Sequence, residues 1–267
     1  MNISNENMIK TIEKLDKYFS NIDINEVANI EFPNEIEYKS NEWIYYIFYS
    51  CLLDYGMRSK IYHNNLINTY HNFKDIFNPY YVVNNFNSDS NTLQQIIKEN
   101  IHPRYPNVAV NKWIRLSKEL SKYNNLLEKI KSFKTFEELN RFIKNINGYG
   151  QKTGGLLLRL IYESNLCEIS DEISTIPLDR HDIEISYLNK IVNIKNLTSK
   201  QILELTNAYI KCSNELNVNP DKLDKYLWEI GSRFCNKKDC INCPLSSNCS
   251  TKIKGTILWK KKSFVNY

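Results

Sequence analysis

A run long enough to cross a membrane is the first thing missing from this 267-residue chain. No stretch reaches the roughly 18 to 20 uninterrupted apolar residues of a bilayer span, and the opening "MNISNENMIKTIEK" lacks the basic-then-apolar order of a secretory leader. These two absences exclude a membrane-spanning or exported protein and point to a soluble one in the cytoplasm. Period-two alternation is missing as well, which excludes sheet-built classes and leaves an all-α chain. There is no internal repeat, only seven glycines serve the whole length, and the excess of Asn, Ile and Lys reads as the mark of an AT-rich genome. A strong excess of one sign is missing too: a formal net charge of +5 supports a nucleic-acid partner only weakly. Seven cysteines, an odd number with no leader, exclude a disulfide framework and point to thiolate ligands where they cluster.

Helical patterning fills the space these absences leave. Met8, Ile9, Ile12, Leu15 and Phe19 draw one apolar stripe on a first helix. The stretch "NEWIYYIFYSCLLDYG" is apolar on nearly all sides and predicts a central buried helix. Thr135 with Glu138 and Thr198 with Gln201 have capping-box spacing, and Asn219 before Pro220 is a cap followed by the preferred first-turn proline. A two-lobed helical fold follows. One lobe comprises residues 1–41 and 164–267, uniting the N-terminal helix with the C-terminal helices and the cysteine loop. The other is a bundle over 42–163.

Cys235, Cys240, Cys243 and Cys249 stand as C-x4-C-x2-C-x5-C. A structural zinc site usually takes its thiolates as two close pairs with a dozen or more residues between them, and no such segment exists here. Four sulfurs in one short loop suit a cube whose iron corners each need one thiolate, so the spacing favours a [4Fe–4S] cluster, with zinc as the alternative.

"INGYGQKTGG", residues 146–155, reads as a Gly-flanked hairpin between two amphipathic helices, "TFEELNRFIKNI" and "QKTGGLLLRLIYE". Gly148 and Gly150 permit unusual backbone angles and leave successive N–H groups open to a phosphate of DNA, without reading sequence. Lys152 sits in the first helical turn, where a cation is disfavoured by a few tenths of a kcal/mol up to ~1. A local rule broken this way invites a functional explanation. Downstream, in "IPLDRHDIEI", Asp179 precedes a helix beginning near Arg180. As an N-cap it has a held orientation, and an ionised carboxylate is what stabilises a sugar cation forming beside it.

The hairpin, the "PLDRH" segment and the four-cysteine loop occur in the order found in the helix-hairpin-helix DNA glycosylases, and the chain most resembles the endonuclease III branch over nearly its whole length. "HPRYPNVAVNKWIRLSKEL" is similar to the family's segment ahead of the hairpin, and "DKYLWEIGSRFC" to its helix entering the cluster loop. The resemblance implies Lys152 as nucleophile, Asp179 as catalytic aspartate, the four cysteines as cluster ligands, and Gly148, Tyr149 and Gly150 as hairpin contacts to DNA. It also sets Leu52, in "SCLLD", where the family's glutamine fills the gap left by an extruded base. Asp54, Arg180 and His181 are further candidates to line the pocket, and Lys237 and Lys238 to meet phosphates. Two departures stand out: the first cysteine spacing is x4 where the family has x6, and the segment between Lys152 and Asp179 is longer and acidic.

The implied function is a bifunctional DNA glycosylase and abasic-site lyase of base excision repair. It would excise an oxidised base through a lysine Schiff base, nick the strand by β-elimination, and act as a nucleoid-associated monomer on double-stranded DNA that holds a damaged base or abasic site. An 8-oxoguanine or mismatch glycosylase of the same fold is one alternative, and a non-catalytic iron–sulfur or zinc DNA-binding protein is another. Lys252, Lys254, Lys260, Lys261 and Lys262 in the tail are either phosphate contacts or solvated charge.

Overall fold

The computed structural model describes residues 1–20, 22, 31–54, 59–86, 91–169 and 176–250. The five tail lysines and part of the acidic segment lie outside the described residues. Among those described, helices and turns account for the regular structure and there is no strand; Ile3 and Val192 form one isolated antiparallel bridge. No helix among them is long and apolar enough to cross a membrane. The chain divides into two compact units, a middle unit Asn29–Pro177 and a terminal unit of Met1–Ala28 with Leu178–Tyr267.

The middle unit is built around a helix that is buried on every side. Helix α2 (Asn41–Leu52) starts at Ser40, whose hydroxyl accepts from the Trp43 N–H at 3.0 Å, and every residue from Trp43 to Leu52 is buried. Burying so many aromatics stabilises by roughly 2–3 kcal/mol each, provided their polar ends find partners. Most do: Tyr49 stacks on Trp113 at 4.4 Å and shares a 2.6 Å hydrogen bond with Ser117, while the Trp113 indole donates to the Ile76 carbonyl. Around α2 lie α3 (Ser59–Phe73), α4 (Pro79–Asn85), α5 (Asn91–Ile96), α6 (Pro106–Leu120), α7 (Leu126–Lys131), α8 (Phe136–Asn145) and α9 (Gln151–Glu163). Helix α8 is opened by the full capping box, Thr135 Oγ1 accepting from Glu138 N–H and Glu138 Oε2 from Thr135 N–H, both at 3.2 Å.

The observed division falls at 28/29 and 177/178, not at 41/42 and 163/164. Packing explains it. Phe32 stacks on Trp43 at 5.5 Å, Ile36 enters the same core, and the Tyr38 hydroxyl donates to the Ser164 carbonyl. Leu166, Cys167 and Ile169 pack against that core too, so both flanking segments belong to the bundle.

In the terminal unit, α1 (Asn5–Phe19) packs on α11 (Ser199–Glu215) and α12 (Pro220–Glu229), and α10 (Arg180–Leu188) packs on α12. Its buried face is Met8, Thr11, Ile12, Leu15 and Phe19; Thr11 takes the place the apolar pattern gave to Ile9, with its hydroxyl turned back onto the Asn7 carbonyl at 2.7 Å. Phe19 stacks on Tyr226 at 4.8 Å, and Ser4 N–H donates to the Ile191 carbonyl at 2.8 Å. Helix α11 opens with the Thr198/Gln201 box and α12 with Asn219 and Pro220. A π-helical turn, Ile230–Cys235, continues α12 into the cysteine loop.

Candidate active site

The hairpin between α8 and α9 holds four of the chain's seven glycines within residues 148–155, and they do different work. Gly148 has φ +117°, and a Cβ placed there would stand 3.1 Å from Leu52 Cδ1, so only glycine fits without strain. Gly150 is extended (φ −93°), has open space where its Cβ would be, and its N–H donates to Thr153 Oγ1 at 3.0 Å. Two expectations are corrected here: Gly150 needs no glycine backbone, and its N–H is already bonded inside the hairpin. Tyr149 is half-buried and its hydroxyl donates to the Phe48 carbonyl at 2.6 Å, so this side chain anchors the hairpin to α2 instead of reaching for a phosphate. Burial, ahead of Cys51 and its neighbouring tyrosines, pushes its phenol well above the usual range.

Leu52 lies beneath this turn with no exposed surface. It fills the space under Gly148, which is a core task; a side chain that plugs a duplex must be reachable. Asp54, just past the end of α2, is 7% exposed and faces inward, where its charge raises the Cys51 thiol and the Tyr62 phenol in addition to the effect of burial. His63, buried nearby, is lowered by burial against the opposing pull of Asp54. Sequence reading passed over His63, since a histidine in a mixed polar helix that also carries His71 gives no pattern to find.

Lys152 occupies the first turn of α9 and is half-buried. Its Nζ donates to the Asp54 carbonyl at 3.3 Å. That carbonyl follows α2's C-cap, Leu53. A cation disfavoured at one helix start is therefore met by the electronegative end of another. The middle unit thus gathers Lys152, Gly148, Leu52 and Asp54 around one turn.

The head of α10 lies in the terminal unit. Asp179 is its N-cap, Oδ1 accepting from the N–H groups of His181 at 2.6 Å and Asp182 at 3.3 Å. In return, the Asp179 N–H donates to Asp182 Oδ2 at 2.6 Å. Arg180 is exposed. His181 packs over Gly231, where a Cβ would come within 2.8 Å of its own Cβ, so Gly231 permits the π-helical turn to approach α10 this closely. Asp182 is the residue that sequence reading missed. Its signal was present as Asp179-x-x-Asp182, a capping box with a shorter acid than the usual glutamate.

Beyond the π-helical turn the loop is pinned by backbone bonds from Lys238 N–H to Cys235 O, Asp239 N–H to Phe234 O and Cys249 N–H to Leu245 O, and Lys14 of α1 donates to Asn248 Oδ1 at 2.8 Å. Burial pushes the Cys235 thiol up to about 12, with Cys243, Cys249, Glu184 and Cys240 adding to it. Cys243 is raised to about 11, again chiefly by burial. Among the described residues, no three His, Cys, Asp or Glu side chains are gathered as tightly as a metal ion requires. Lys237 and Lys238 are exposed on this loop.

No protein-family model matches the chain, and no curated protein matches it. Solved structures do. The 8-oxoguanine DNA glycosylase of Methanocaldococcus jannaschii is similar with a TM-score of 0.56 and 20% identity, over 84% of this chain and 93% of that one. The 8-oxoguanine glycosylase/lyase of the same organism in complex with a 15mer DNA containing 8-oxoguanine gives 0.54 and 18%, over 83% and 96%. The 8-oxoguanine DNA glycosylase of Thermotoga maritima gives 0.54 and 17%, over 85% and 97%. At these identities the likeness establishes the fold: this chain has the all-helical, helix-hairpin-helix architecture of those glycosylases.

Proposed function

We propose that the chain is a bifunctional DNA glycosylase and abasic-site lyase of base excision repair, acting as a monomer on duplex DNA that carries an oxidised base. The observation that carries this reading is Lys152 in the first turn of the helix that follows the Gly148 hairpin, in a chain with the fold of solved 8-oxoguanine glycosylases. Those neighbours make 8-oxoguanine the first lesion to test, ahead of oxidised pyrimidines and mismatched bases.

The chemistry begins with a base turned out of the duplex, at a cost of a few kcal/mol. The Asp179 carboxylate supports positive charge developing on the sugar. The Lys152 amine bonds to C1′ as the C1′–N bond to the base breaks; the base leaves with the bonding pair and takes a proton from solvent. Loss of a proton from nitrogen and opening of the C1′–O4′ bond give an imine. Removal of a C2′ proton then drives cleavage of the C3′–O bond, and the downstream strand leaves with its 5′ phosphate. Water hydrolyses the imine and restores the lysine.

Cys235, Cys240, Cys243 and Cys249 match a [4Fe–4S] cluster in donor number and type, with zinc as the alternative, and loading would have to draw them closer together than they stand here. When bound, such a group ties the loop together and takes no part in base removal, while Lys237 and Lys238 on the same loop meet phosphates. Iron and sulfide assays on anaerobically purified protein distinguish cluster from zinc.

The enzymatic reading is tested by incubating the protein with duplexes containing 8-oxoguanine, thymine glycol, dihydrouracil, uracil or an abasic site in the presence of borohydride. We expect a covalent complex with at least one of them, and none with Lys152→Ala. A wild-type protein that binds duplex without trapping or excising any of the five would leave the non-catalytic DNA-binding alternative standing.

A further inference from the structure

We propose that Asp182 is the positioning residue for Asp179, forming with it a reciprocal carboxyl pair that fixes the Asp179 carboxylate at the head of α10. The proposal rests on the reading of Asp179 as catalytic and names how that group is held.

The geometry is closed on itself. Asp182 Oδ2 takes the Asp179 N–H at 2.6 Å, and Asp179 Oδ1 takes the Asp182 N–H at 3.3 Å and the His181 N–H at 2.6 Å. Each carboxyl group thus takes the other residue's backbone N–H, which sets the two side by side in one cap. Asp182 is 3% exposed, and its Oδ1 is buried with no hydrogen bond to accept. An ionised carboxylate in that position would leave one charged oxygen unsatisfied in the interior, which is costly. The groups facing it offer no relief: Asp179 from its own cap and Asp224 from α12 are both acidic, and Tyr209 from α11 turns its hydroxyl to Ser186 at 2.9 Å. Burial first, then those two carboxylates, push the Asp182 carboxyl well above the usual range. The pair in this proposal is one neutral carboxyl, Asp182, beside one carboxylate, Asp179. Such a pair orients a carboxylate through a neutral donor. A serine or threonine at the same place could brace the backbone but would not present a carboxyl proton.

A neutral carboxyl is mimicked by an amide, and that sets the test. Asp182→Asn keeps an oxygen to accept the Asp179 N–H and an N–H to donate; Asp182→Ala keeps neither. In single-turnover excision on the lesion duplex, we expect Asp182→Asn to stay within about threefold of wild type. We expect Asp182→Ala to lose about tenfold or more in the rate of base loss at unchanged duplex affinity. The proposal is overturned if Asp182→Asn is as slow as Asp182→Ala, or if Asp182→Ala excises at the wild-type rate. Should Asp182→Ala fail to fold, 13C NMR of the aspartate carboxyls in the full-length wild-type protein decides: a protonated Asp182 at neutral pH supports the pair and an ionised one ends it. The same spectrum separates the two ideas if the wild-type protein excises nothing. Absent excision removes the enzymatic reading, while an Asp182 that still titrates high, beside an Asp179 amide protected from exchange, keeps the pair.

Discussion

Helices α9 and α10 begin in opposite ways. The start of α10 is closed: an acidic N-cap satisfies two backbone donors and is itself held by the third residue of the helix. At the start of α9 the cap is a glycine with no side chain to offer, and a lysine sits where an anion would be preferred. One head is optimised for holding a charge still. The other has no capping side chain at its glycine, and its lysine donates to the Asp54 carbonyl just beyond α2. Under the proposed function one head supplies a fixed anion and the other a reactive amine, and substitutions test each head by itself.

The largest expected effect falls on the closed head. Asp179→Asn preserves a good N-cap, so folding should be nearly unchanged. On the proposed function it removes the charge assigned to the developing sugar cation, and we expect excision to slow by about 10²–10⁴-fold, or roughly 3–5 kcal/mol on the barrier, with duplex binding retained. Comparable loss of binding and excision would return Asp179 to a purely structural cap. Single-turnover excision beside a filter-binding isotherm measures both.

Next comes the hairpin that presents the other head. Gly148→Ala imposes a side chain at φ +117° and pushes it toward Leu52, so we expect a loss of about 2–3 kcal/mol in urea unfolding. Gly150→Ala, at an extended φ with open space around it, should cost less than about 0.5 kcal/mol. Equal losses at the two positions would mean that the turn is held by something other than the Gly148 geometry.

The pH dependence of stability sharpens the comparison further. With Asp182 as the neutral member of the pair, folding takes up a proton at any pH between the unfolded carboxyl value, near 3.9, and the raised folded one. Below that window both states are protonated and Asp182 contributes no slope. Within it the native state binds more protons, and stability falls as pH rises, by up to ~1.4 kcal/mol per pH unit. Asp182→Asn cannot titrate, so its advantage over wild type should grow from about pH 4 upward in thermal melts. Asp224 and Tyr209 face the same site in both proteins, which leaves the difference between the two curves to the Asp179/Asp182 pair. A difference that stays flat with pH would show that Asp182 is ionised in the folded protein.

Much of the frame was legible before any coordinates because its signals are local. The Thr135/Glu138 and Thr198/Gln201 boxes and the Asn219–Pro220 start each need only a few residues, and each forms as spaced. Apolarity all round marked α2 as interior. What sequence reading missed depends on partners distant in the chain. Leu52 reads equally well as an exposed wedge or a core residue until Gly148, 96 positions later, is seen to rest on it. Phe32 gives no local sign that Trp43 will claim it for the bundle. Asp182 looks like a solvated acid on a polar helix face, and only α11 and α12 closing over it make it interior.

The smallest expected effect is the most discriminating, because it asks what Lys152 does for the fold. A cation in the first turn of α9 costs about 0.3–1 kcal/mol, and alanine is the slightly better helix former. Against that, Nζ bonds to a carbonyl just beyond α2, a favourable end for a cation, though the half-buried position leaves the charge partly screened by solvent. The terms oppose one another at similar size. Lys152→Ala should therefore change unfolding stability by less than about 1 kcal/mol in either direction, while abolishing the borohydride-trapped complex. A loss beyond about 2 kcal/mol would mean that the lysine is chiefly a strut between α9 and α2, and the missing trap would then report a damaged fold. Near-neutral stability with no trap leaves chemistry as the reason a cation stands at this helix start.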